Sequence, residues 1–78
     1  MKLYFINSAN KKKLVSSAAT ADNANKLIIE YIKKINPEYK VYYTRSWIEN
    51  NETWYDVGSH TEFFLLTERD YYGNNSSN

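Results

Sequence analysis

Residues 39–58 read YKVYYTRSWIENNETWYDVG, and the architecture can be worked outward from them. Tyr39 to Ile48 is rich in Tyr, Val, Thr and Trp, residues that suit a pleated, half-buried strand. Glu49-Asn50-Asn51-Glu52 is a turn candidate, although Asn-Asn signals a hairpin less strongly than Asn-Gly. Thr53 to Gly58 returns as a second strand. If Asn50 and Asn51 are the two loop residues, the register follows. Trp47 stands opposite Trp54, Arg45 opposite Asp56 and Tyr43 opposite Gly58, on one face with Val41. Ile48 opposite Thr53, Ser46 opposite Tyr55 and Thr44 opposite Val57 form the other face with Tyr42. A three-residue loop with a bulge would alter these partners.

Upstream of the hairpin lies a helical pattern. Ala24, Leu27, Ile28, Tyr31, Ile32 and Ile35 recur at helical spacing and form one apolar stripe. Thr20 or Asp22 is expected to cap its start. Glu30 precedes Lys34 by four residues, and Lys33 and Lys34 suit the negative end of the dipole. Pro37 ends the helix at or before Asn36. A helix this short and one-sided needs a sheet to bury its stripe. Further upstream, Lys2 to Asn7 reads as a strand with apolar residues on both faces, which implies a central or well-covered position. Asn7-Ser8-Ala9-Asn10 forms a turn. Lys11 to Ala18, with Leu14 and Val15, returns as a lysine-rich strand suited to a sheet edge. Downstream, a turn near Ser59-His60 leads to a last apolar strand, Thr61 to Leu66. Tyr71 and Tyr72 either pack on the sheet or hang at its edge. Residues 73–78, all Gly, Asn and Ser, are expected to be a disordered tail. The expected fold is therefore a single α+β domain over residues 1–72. It has an antiparallel sheet of four to five strands, one amphipathic helix packed on it, and the order ββαβββ.

Composition narrows the function classes. With 78 residues there is room for one domain, and with no cysteine there is neither a disulfide framework nor a thiolate metal site. The apolar run at the N-terminus is too short for a signal-peptide core, and no segment approaches a membrane span. The expectation is a cytoplasmic protein with no membrane association. The net charge of +1 conceals a gradient, since residues 1–40 carry eight basic and three acidic groups and residues 41–78 two and six. Neither lean is strong enough to imply nonspecific nucleic-acid binding. Aromatic residues make up 17% of the chain. Large rings add burial to a small core, and Tyr and Trp also dominate interaction hot spots.

Catalytic patterns are weak. His60 is the only histidine. Ser59, His60 and Glu62 resemble a hydrolytic set on paper, but neighbours in one tight turn rarely converge on an oxyanion site, and a structural turn is the expected role. Asp56 and Glu62 lack the chain length needed to build a deep cleft around a carboxylate pair. Gly58 and Gly73 are the only glycines, so no phosphate-cradling loop exists. The expectation is a non-enzymatic protein without metal or cofactor. Lys11, Lys12 and Lys13, joined by Lys33 and Lys34 if the fold brings them together, would be the phosphate grip of a nucleic-acid-binding module, with Tyr or Trp stacking on bases. Three adjacent lysines on a turn are more often a solubilising face.

The hairpin face carries the main functional reading. Tyr43, Arg45, Trp47, Trp54 and Asp56 either form a recognition platform or close one end of the core with an ordinary cross-strand ion pair. The stretch Tyr42-Tyr43-Thr44-Arg45-Ser46-Trp47, followed by Trp54-Tyr55-Asp56-Val57-Gly58-Ser59-His60-Thr61-Glu62-Phe63-Phe64, resembles a pattern in small uncharacterised phage and prophage proteins of Gram-positive bacteria. The likeness extends over residues 1–67. It implies a phage-like origin and expression in a bacterial cytoplasm, and it carries no activity over to individual residues. A small viral protein without catalysis often serves host takeover by binding a host or viral component. The expected function is thus an accessory or inhibitor protein that binds a protein partner, with a homodimer as a further possibility and a nucleic-acid module as the alternative.

Overall fold

The computed structural model describes residues 1–38, 45–58 and 61–71. The elements are β1 (Lys2–Ile6), β2 (Lys12–Ser16), α1 (Ala24–Ile35), β3 (Arg45–Glu49), β4 (Glu52–Asp56) and β5 (Phe63–Thr67). The strands form one five-stranded sheet in the order β2-β1-β5-β4-β3, every neighbouring pair antiparallel. This is the expected α+β fold with the expected element order. The last strand enters the middle of the sheet, between the N-terminal hairpin and the aromatic hairpin.

Local chemistry accounts for each connection. In the first turn the Asn7 side-chain oxygen accepts from the Ala9 and Lys11 backbone N–H groups at 2.9 and 3.0 Å, and Asn10 takes a left-handed conformation at φ 61°. In the second hairpin Asn50 and Asn51 have φ 55° and 64°. Two successive left-handed residues define a type I′ loop, whose twist matches that of the strands it joins. The register is the expected one: Arg45 with Asp56, Ser46 with Tyr55, Trp47 with Trp54 and Ile48 with Thr53. The expected pairs involving Tyr43 and Thr44, like the rest of residues 39–44, lie outside the described residues, as do Ser59, His60, Tyr72 and the 73–78 tail. The strand after the loop starts one residue earlier than its pattern suggested, at Glu52, and the last strand runs from Phe63 to Thr67.

The helix ends at Ile35, with Asn36 donating its N–H to the Ile32 carbonyl just before Pro37. Its start differs from the expectation. Asn23 occupies the cap position, and its side chain makes no cap bond within the helix. Instead, Thr20 and Asn23 each donate a backbone N–H to the other's side-chain oxygen, at 2.7 and 3.2 Å. This reciprocal pair is built like a capping box one turn upstream, so Thr20 does terminate the chain's approach to the helix while Asp22 does not.

The sheet has two differently covered faces. On one, Leu3, Tyr55, Phe64 and Leu66 meet Ala24, Ile28 and Ile32 of α1, with Phe5, Val15, Leu27 and Tyr31 around them. Tyr31 packs on Phe5 and Phe64 at ring distances of 5.3 and 6.0 Å. Burying Ile28 and Ile32 stabilises the docked helix by roughly 2 kcal/mol each. On the other face, Tyr4, Ile6 and Leu65 are also buried, against Trp54. No second helix among the described residues covers them. Residues 68–71, after β5, fold back over Tyr4 instead.

Candidate functional site

The face opposite the helix divides into a closed part and an open part. In the closed part, the Tyr4 hydroxyl donates to the Arg69 carbonyl at 3.4 Å and accepts the Tyr71 N–H at 2.9 Å. The Tyr71 ring meets the Tyr4 ring edge-on at 5.3 Å, and the Lys12 ammonium lies 4.8 Å from its centroid. Glu52 anchors this return. Its side chain is nearly buried, and one carboxylate oxygen accepts from the Thr67 and Tyr71 hydroxyls, both at 2.8 Å, with the Arg69 guanidinium 3.6 Å away. Burial, the hydrogen bond to Glu52 and the negative charge of Glu52 raise the Tyr71 phenol above its ordinary value of 10.0, against the opposing pull of Arg69. Residues 68–71 thus act as a strap across β1, β5 and β4.

The open part is the aromatic hairpin. Parity places Arg45, Trp47, Trp54 and Asp56 on this face, as their spacing predicted. The indoles of Trp47 and Trp54 are stacked, with planes 12° apart and centroids 6.4 Å apart. Phe63 of β5 meets Trp47 edge-on at 6.2 Å. The two indoles have different surroundings. Trp54 packs on the Tyr4, Ile6 and Leu65 cluster, whereas Trp47 remains 38% exposed, and its N–H donates to Glu49 at 3.4 Å. Arg45 bonds Asp56 at 2.8 Å with most of its own side chain in solvent, and the other Asp56 oxygen accepts the Gly58 N–H at 2.8 Å. The carboxylate is therefore fixed from two sides and holds the guanidinium in place at the rim. Tyr43, the remaining expected member, lies outside the described residues.

The lysines of β2 are divided between the two faces of the sheet. Lys12 pairs with Ile6 on the strap face and reaches Tyr71, while Lys13 pairs with Phe5 on the helix face. Lys33 and Lys34 are exposed in the last turn of α1. Tyr31 on Phe5 places that end of the helix over the sheet region flanked by Lys13.

Sequence reasoning did not find the Glu52 centre. Glu52 reads as a turn residue beside Asn51, and its partners Thr67, Arg69 and Tyr71 are 15 to 19 positions away. The available signal was parity, since Glu52 is two residues before Trp54 and so shares its face. Among the described residues, no group of three metal-ligating side chains could hold an ion, and no helix is long and apolar enough to cross a membrane. Comparison with family models, with curated proteins and with solved structures gives no match for this chain.

Proposed function

We propose that this chain is a phage-like accessory or inhibitor protein that works in a bacterial cytoplasm by binding a host or viral protein through the open face of its aromatic hairpin. The action is binding rather than catalysis. The observation that carries this reading is the exposed half of the indole pair. Trp47 is stacked on Trp54 and partly solvated, with Arg45 on the same face and paired to Asp56. A stacked Trp sharing a face with an ion-paired Arg is the composition of an interaction hot spot. The test is affinity capture from bacterial lysate with the native chain and with Trp47→Ala, after circular dichroism confirms that the variant is folded. The reading expects one protein retained by the native chain and lost with the variant. Equal retention by both overturns it.

A second reading is supported by Tyr31, which brings the basic end of α1 over the flank holding Lys13. In that reading Lys11, Lys13, Lys33 and Lys34 of the expected set hold nucleic-acid phosphates, while Lys12, turned to the strap face over Tyr71, does not join them. It predicts oligonucleotide binding that weakens steeply as salt rises, and no association at low salt removes it.

A further inference from the structure

We infer that β3 is an edge-pairing strand whose partner is β3 of a second copy of this chain, joined antiparallel about a twofold axis at Trp47. This goes beyond the partner-binding reading and does not rest on it.

The argument starts from the hairpin. A two-residue loop makes its flanking residues, Glu49 and Glu52, a hydrogen-bonded pair. Alternation then makes Trp47–Trp54 and Arg45–Asp56 hydrogen-bonded pairs too. The backbone N–H and C=O groups of Ser46 and Ile48 consequently point away from β4. Among the described residues β3 is the last strand of the sheet, and all five of its residues are exposed, Ile48 by 77%. A row of backbone groups pointing outward from the end of a sheet, on a partly apolar strand, is a template for another strand.

Charge selects the occupant. The strand reads Arg45-Ser46-Trp47-Ile48-Glu49. Turned antiparallel on itself about Trp47, it sets Arg45 opposite Glu49 of the second copy, and Glu49 opposite Arg45 of the second copy. Ser46 meets Ile48, so the two residues whose backbone groups point outward become the hydrogen-bonded pairs of the new ladder. Trp47 meets Trp47 at a pair without such bonds, where side chains approach most closely. Arg45, Trp47 and Glu49 share one face, so the ion pairs flank a row of four indoles, Trp54 and Trp47 from each copy. Inside the monomer, Glu49 stands opposite the like-charged Glu52, an unfavourable arrangement that a cation on its free side would relieve. The assembly also closes. It uses up both β3 edges and leaves at the margins the two β2 strands, each carrying Lys12, Lys13 and a register shift that discourage further pairing.

Five residues a side make a small interface, so the association is weak and has to be sought at high concentration. The experiment is sedimentation equilibrium of the whole chain up to about 1 mM, the regime of weak pairing. A concentration-dependent dimer is expected. Arg45→Glu and Glu49→Arg are each expected to weaken it about tenfold, because symmetry places each reversal in the interface twice. The two variants mixed one to one should regain dimer, since each reversed charge then faces its opposite in the other chain. Ser46→Pro, which deletes an outward N–H, is the second variant and should weaken pairing while the monomer keeps its circular dichroism spectrum. A native chain that stays monomeric throughout overturns the proposal. So does a dimer unmoved by both charge reversals, or a mixture that shows no recovery. A monomeric result would leave capture of a different protein by Trp47 untouched, so the two ideas fail separately.

Discussion

β2 and β3 are the two margins of the same sheet, each five residues long, and they end it in opposite ways. At the β2 margin, lysines alternate between the faces, and the ladder to β1 slips by one residue between Leu3 and Tyr4. The neighbouring strands are sealed on both sides, by α1 above and by the 68–71 strap below. At the β3 margin the register is regular, the strand is exposed throughout, and neither the helix nor the strap covers Trp47 or Ile48. The contrast separates two uses of aromatic side chains within one small domain. Tyr4 and Phe64 are fully buried and hold the fold together, while Trp47 is stacked and left in reach of a partner.

Substitutions under the strap and at the open β3 margin should differ most. Tyr4→Ala removes a buried ring and the bonds of its hydroxyl to Arg69 and Tyr71 of the strap, and is expected to cost about 3–5 kcal/mol in urea denaturation. If Trp47→Ala costs as much, the open margin is core and the distinction fails. Glu52→Ala leaves the buried Thr67 hydroxyl and the Tyr71 hydroxyl without their acceptor, for an expected loss of about 2–3 kcal/mol. Amide exchange should then rise in residues 67–71 before it rises in α1. Trp47→Ala itself should cost about 1 kcal/mol, the worth of one stacked pair near the surface, while abolishing partner capture.

The smallest effect belongs to Tyr71 and is confined to alkaline solution. Its phenol is raised in the folded chain, so that chain holds the proton more tightly than the unfolded one does. The contribution of the strap is therefore complete below about pH 10 and is lost as pH climbs through the folded value. Thermal melts of the native chain should fall across that window relative to Tyr71→Phe. Parallel curves would remove Tyr71 ionisation from the account.

Much of the hairpin was legible because the information is local. Asn50 and Asn51 accept left-handed backbone, a two-residue loop fixes the partners on either side, and a period of two assigns each partner to a face. The α1 stripe was legible for the same reason, with Pro37 marking its end, although its last expected member, Ile35, is half exposed past the sheet instead of packed on it. The exception at its start is also local, since Thr20 bonds Asn23 rather than the first turn of the helix itself. The strap was not legible. Nothing near Tyr71 says that its N–H will meet the Tyr4 hydroxyl, 67 positions earlier in the chain. Glu52 beside an asparagine turn has the look of a solvated residue, and its role emerges once Thr67, Arg69 and Tyr71 converge on it.

Short-range chemistry thus settled the elements, their order along the chain, the pairing within the aromatic hairpin and the face on which the indoles lie, because turn geometry and side-chain alternation act over a few residues. Which strand occupies the middle of the sheet, and which half of the far face is roofed, depended on contacts between distant segments. β5 lies between β1 and β4 because Phe63 to Thr67 is apolar on both sides and gains most where both faces are covered. With β5 in that place, the residues after it emerge over Tyr4 and Glu52 and leave Trp47 open, an outcome of the assembled sheet that no short window of the chain contains.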